Sequence, residues 1–169
     1  MMRVGLVRAV VATGLAALFA SGCSSAGTQA GGEGAPRVRI PAQILGLTVT
    51  PEDISSRIED VERSYLNSAG MFSFRDDDLL RATLQVGRFN NAGRLRGNPA
   101  QFRSAIISLL GTAAPQELRV GDTTVYFTSG NEQIVYAWFD GSAMFVLSVH
   151  RDFEFPRTLL RRTLNVELL

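Results

Sequence analysis

Two runs of strand-forming residues meet at Asp140-Gly141, and this junction constrains the chain more than any other feature. Residues 133–139 read QIVYAWF and residues 143–149 read AMFVLSV. β-Branched and aromatic side chains of this kind fit a pleated, buried surface. Asp-Gly between two such runs is a strong hairpin signal, because a tight type I′ turn needs residues that accept positive φ. Upstream, Leu118-Arg119-Val120 leads through Gly121-Asp122 into Thr123–Thr128, and Ser129-Gly130-Asn131-Glu132 supplies the next turn. The stretch predicts a three-strand antiparallel meander. Tyr126, Phe127, Tyr136, Trp138, Phe139 and Phe145 make it aromatic on both faces. One face must be core, and the terminal helix is expected to cover the other.

A second hairpin is expected over Met71–Phe89. Asp76-Asp77-Asp78 provides the turn, and Leu80, Ala82, Leu84 and Val86 alternate with Arg81, Thr83, Gln85 and Gly87. That period of two places one set inward and the other outward. Helix signals separate these units. Thr50, Pro51 and Asp53 form a start pattern, followed by an apolar stripe at Ile54, Ile58, Val61 and Tyr65 and an end at Gly70. Asn98, Pro99 and Gln101 form another, with Phe102, Ala105, Ile106, Leu109 and Leu110 as its stripe and Gly111 as its close. Pro156 opens a last helix carrying Leu159, Leu160, Thr163 and Leu164, with Arg157, Arg161 and Arg162 outside. Val38, Ile40, Ile44, Leu45, Leu47 and Val49 make a weak extended lead.

The expected architecture is therefore a single α+β domain over residues 37–169. It is an antiparallel β-sheet of about five or six strands packed with two or three helices. The ending from Val125 to Leu169 resembles the last strands and terminal helix of PsbP/Mog1-like α-β-α sandwiches. The matching features are residues 121–126 (GDTTVY), the hairpin around Asp140-Gly141 and Leu159–Val166. This is a fold-level likeness, and it transfers no functional residue.

The first 36 residues do not read as part of that domain. Met1–Arg8 carries Arg3 and Arg8, Ala9–Ala20 is uncharged and apolar, and Ser21-Gly22 precede Cys23. A charged start, an apolar middle and a small-residue cleavage region are the parts of a secretory signal. Twelve residues rise about 18 Å as a helix, short of the roughly 30 Å hydrocarbon core of a bilayer. Phe19-Ala20-Ser21-Gly22-Cys23 resembles the lipobox of bacterial lipoproteins, with Ala20 where that pattern usually carries Leu. The resemblance implies cleavage before Cys23 and a diacylglycerol on its thiol. Residues 1–22 are then the signal peptide and Cys23 the lipidation site. The competing reading is an ordinary secretory signal followed by an incidental cysteine. Residues 24–36, SSAGTQAGGEGAP, are too polar and small to offset ordering entropy. They complete a flexible tether over 23–36 with a reach of about 20 Å.

Composition narrows the function classes. All 17 basic residues are Arg, against 16 acids, for a net charge of +1. That balance lacks the concentrated positive field of a nucleic-acid protein. One Cys and one His leave no intramolecular disulfide framework and little for a metal or nucleophile site. His150 lies two residues from Asp152, but no G-x-S-x-G elbow accompanies it. Asp76-Asp77-Asp78 lacks the spacing of a known calcium loop and reads as a solvated turn. Arg88, Arg94, Arg96 and Arg103 gather near one loop and read as solvated charge, with anionic headgroups or an acidic partner as the alternative. No catalytic, cofactor or metal residue is assigned.

The leading expectation is a lipid-anchored, extracytoplasmic protein of the bacterial cell membrane. It would be non-catalytic and act as a binding or interaction module toward an envelope protein. The alternative is a carrier or sensor of an apolar, lipid-like ligand held between sheet and helices. An envelope hydrolase is a third, disfavoured class.

Overall fold

Antiparallel pairing takes up most of the chain that the computed structural model describes, which is residues 38–52, 66–89, 98–111, 114–141 and 143–168. In chain order the strands are β1 (Val38–Arg39), β2 (Gln43–Ile44), β3 (Leu47–Glu52), β4 (Leu66–Asp76) and β5 (Leu79–Phe89). Helix α1 (Pro99–Leu110) follows. Next come β6 (Gln116–Val120), β7 (Thr123–Ser129), β8 (Gln133–Asp140) and β9 (Ala143–His150). Helix α2 (Pro156–Thr163) and β10 (Glu167–Leu168) end the fold. Eight strands form one sheet in the order β2-β3-β4-β5-β9-β8-β7-β6, and β1 pairs with β10 in a separate two-stranded ribbon. Two four-stranded meanders thus meet where β5 pairs with β9, from Ala82–Val149 to Arg88–Ala143.

This corrects the expected α+β class. Among the described residues the protein is mostly β, with an eight-stranded sheet and two short helices rather than five or six strands with two or three helices. The physical reason lies at Thr50-Pro51. As a sequence these residues suit a helix start, but here they are strand: Thr50 pairs with Ser73, Pro51 with Phe72 and Glu52 with Met71. Non-local pairing outweighs the local capping pattern. Pro51 is tolerated because β2 flanks β3 only at Leu47 and Thr48, so Pro51 lies on an open edge, where a missing N–H does little harm. Residues 66–70, expected to end that helix, instead extend β4. The proposed stripe at Ile54, Ile58, Val61 and Tyr65 lies outside the described residues. The meander also gains a strand, since β6 to β9 are four.

Other elements match their sequence signals. β4 and β5 form the expected hairpin. Asp76 pairs with Leu79, so Asp77 and Asp78 are the turn, and Asp77 takes φ 51°. Ala82, Leu84 and Val86 are buried, as their alternation predicts; Leu80 is not, because a register irregularity between Phe74 and Arg75 turns the strand end outward. The Asp140-Gly141 turn starts one residue late. Asp140 pairs with Ala143, and Gly141 takes the first loop position with φ 56°. At α1 the Gln101 N–H donates to Asn98 Oδ1 (3.4 Å), and Gly111 closes the helix at φ 62° while donating to the Ile107 carbonyl.

The sheet has two unlike faces. On the front face Val49, Phe72, Phe74, Ala82, Leu84, Val86, Val149, Leu147, Phe145, Tyr136, Trp138 and Val125 form one buried cluster. Leu159 and Leu160 of α2, Val38, Ile40, Ile44, Leu47, Ala143 and Val166 complete it. Trp138 stacks on Phe145 at 5.1 Å and 3°, worth about 0.5–1.5 kcal/mol beyond burial alone. On the back face the buried apolar cluster found among the described residues lies on the second meander: Ala137, Met144 and Val146, with Tyr126, Val135 and Phe139, pack against Ala105, Ile106 and Leu110 of α1. The helix on this aromatic back face is thus α1, not the expected terminal helix, which lies on the front.

Candidate functional site

The front face is not closed everywhere. Alternate residues of three neighbouring strands, Leu118 on β6, Phe127 and Ser129 on β7, and Ile134 and Tyr136 on β8, point toward the start of α2. Between them and residues 154–158 runs a groove of about 400 Å³. The turn after β9 sets its far wall. The Arg151 N–H donates to the Glu132 carbonyl (2.8 Å), and the Phe153 N–H donates to the His150 carbonyl (3.0 Å). Arg151 Nη1 also reaches the Gly130 carbonyl (3.1 Å). The two Arg151 bonds tie that residue to the turn between β7 and β8, while the Phe153 bond closes the turn after β9 that leads to Phe155 and Pro156.

The groove has an apolar body and a polar end. Phe127 and Tyr136 lie 6.0 Å apart at 32°. Phe155 is half exposed and meets Phe153 edge-on at 6.4 Å. Pro156 occupies the first turn of α2, and the residue before it is Phe155, whose side chain cannot cap. The Leu159 N–H closes the first helical bond onto the Phe155 carbonyl. The Arg157 and Thr158 N–H groups therefore find no acceptor among the described residues, as the geometry of a helix start dictates when no side chain caps it. Tyr136 is 3% exposed, yet its hydroxyl has no hydrogen-bond partner among the described residues. Burial pushes the Tyr136 hydroxyl up from the ordinary tyrosine range, and the charge of Arg157 partly pulls it back. Both residues line the groove.

The other sequence candidates do not converge on this place. His150 is exposed at the end of β9, its Nδ1 3.5 Å from Asp152 Oδ2. Asp76, Asp77 and Asp78 are exposed; Arg81 pairs with Asp76 at 3.3 Å and Arg75 Nη1 donates to the Asp78 carbonyl at 3.1 Å. Arg88 and Arg103 are exposed, while Arg94, Arg96 and Cys23 lie outside the described residues, as do the segments 1–22 and 23–36. Among the described residues no three His, Cys, Asp or Glu side chains gather as a metal site. Within the same residues no helix is long and apolar enough to cross a membrane.

Sequence reasoning missed the groove. Its one legible sign was Phe155-Pro156, a helix opening on proline with a phenylalanine in place of a capping Ser, Thr, Asp or Asn. The arrangement suits binding: an apolar trough with hydrogen-bond donors at one end. Comparison of the chain with protein families, with curated proteins and with solved structures finds no match.

Proposed function

We propose that this protein is a lipid-anchored, extracytoplasmic binding module of the bacterial cell membrane, held through Cys23. The anchor rests on the lipobox resemblance of residues 19–23, and two or three long chains on one thiol suffice for stable residence. The binding role rests on one observation: a front face packed throughout its centre by α2, Val38 and Ile40, and open at the Leu118–Phe127–Ile134–Tyr136 groove. The volume of this groove, about 400 Å³, suits a small ligand rather than a protein surface, since ligand sites run to roughly 300–1,000 Å³. That favours the carrier or sensor reading over a protein-docking one.

Two measurements test this. Fractionation of cells carrying Cys23→Ala should move the protein out of the membrane fraction; retention there removes the anchor. The neutral dye Nile red should brighten on adding the full chain, and Ser129→Trp, which places a large side chain in the groove from an exposed position, should abolish the gain. Equal brightening in both removes the groove as the binding site.

A further inference from the structure

We infer that the groove beside α2 recognises a small apolar molecule bearing a single carboxylate. This rests on the groove being a binding site and adds the chemistry of its occupant. Three residues that line the trough carry donors without a partner among the described residues. The Arg157 and Thr158 N–H groups stand at the positive end of the helix dipole without an acceptor among the described residues, an arrangement that favours anions. The Tyr136 hydroxyl is independent of the helix: it belongs to a side chain 3% exposed, lines the groove and lacks a partner. The hydroxyl itself is not sealed off, since Arg81 Nε is the buried side-chain polar atom without a partner among the described residues; it opens onto the groove, where an oxygen of the occupant can accept from it. The Arg157 side chain adds a full positive charge to the lining.

The charge count selects among anions. Glu154 is the acid among the lining residues, and it is exposed. One guanidinium and a helix end against one rim carboxylate suit a single negative charge and disfavour a doubly charged phosphate. Elsewhere Leu118, Phe127, Ile134, Phe155 and Pro156 line the trough, with Ser129 as the polar exception, which matches an acyl or aromatic body. A carboxylate held by two backbone N–H groups, one hydroxyl and one guanidinium has its oxygens satisfied by charge-assisted bonds.

The test compares octanoate with 1-octanol, which share a chain and differ in the head, at neutral pH. The protein is the full chain carrying Cys23→Ala, so that no acyl group of its own competes. Amide NMR titration should show octanoate binding at least tenfold tighter than 1-octanol, with the largest shifts at Arg157 and Thr158. Arg157→Ala should remove most of that preference while leaving 1-octanol binding unchanged. Tyr136→Phe should weaken octanoate several-fold without moving the thermal midpoint, and Glu154→Gln should tighten it a few-fold. Equal affinities for the two heads overturn carboxylate recognition but leave the groove standing as an apolar site. Absence of binding by either, together with absence of a Nile red response, overturns both readings. Shifts centred away from α2 overturn the placement.

Discussion

β5 and β9 run side by side down the middle of the sheet and share a register from Ala82–Val149 to Arg88–Ala143, yet they are buried in different ways. Their front-facing residues are alike: Ala82, Leu84 and Val86 on one, Phe145, Leu147 and Val149 on the other, all in the same core. Their back-facing residues are not. β5 presents Thr83 and Gln85, both half-buried, whereas β9 presents Met144 and Val146, both buried beneath α1. A strand's periodicity therefore reports what packs on each of its faces, not how central it is. β9 lost its alternation because two helices flank it, one on each side of the sheet.

The comparison can be broken most forcefully at the shared front face. Leu84→Ala and Leu147→Ala should each lower stability by about 3–4 kcal/mol, read from urea unfolding midpoints. A cost for one less than half that of the other would mean that the front core is not continuous across the two meanders. The back face should separate the strands. Met144→Ala is expected to cost about 2–3 kcal/mol, while Thr83→Ala, opposite Ser73 and Ser148, should cost under about 1 kcal/mol. Similar values would dissolve the contrast. Asn98→Ala removes the cap of α1 and should cost about 1 kcal/mol. Hydrogen exchange should then rise in α1 with little change in β5.

The smallest effect concerns the two tyrosines that β7 and β8 place on opposite faces. Both hydroxyls are raised from the ordinary value of about 10. Burial is the main cause for each; Glu117 adds to it at Tyr126, and Arg157 opposes it at Tyr136. Because the folded values lie above the unfolded ones, this stability is fully present below about pH 10. It falls as pH rises through the folded values. Phenolate absorbance should show Tyr136 titrating still later in Arg157→Ala, and Tyr126 titrating earlier in Glu117→Gln. A shift of either in the opposite direction would mean that the charge pairing is misassigned.

Much of this architecture was legible, and the misses share a cause. The β4–β5 hairpin, the meander, α1 with its Asn98 and Gly111 caps, and α2 with its buried Leu159 and Leu160 follow from signals within about ten residues. Thr50-Pro51-Glu52 misled because the decisive partner, Met71-Phe72-Ser73, is twenty residues away and leaves no local mark. The width of the sheet was hidden for the same reason: nothing near Leu84 or Leu147 announces that they are neighbours. The groove was the least legible feature of all. It arises from the turn at 151–153 being fastened to Gly130 and Glu132, and only afterwards do Phe155, Arg157 and Tyr136 share a space.

One small element has a larger consequence than its size suggests. β1 and β10 join Val38 to Leu168 and Arg39 to Glu167, so the described chain is buckled shut at its two extremes. Whatever tugs on the segment before Val38 loads this buckle ahead of the wide sheet. Trimming the last few residues should free Val38 and Ile40 from their places over the front core, so wear at one terminus is felt at the other.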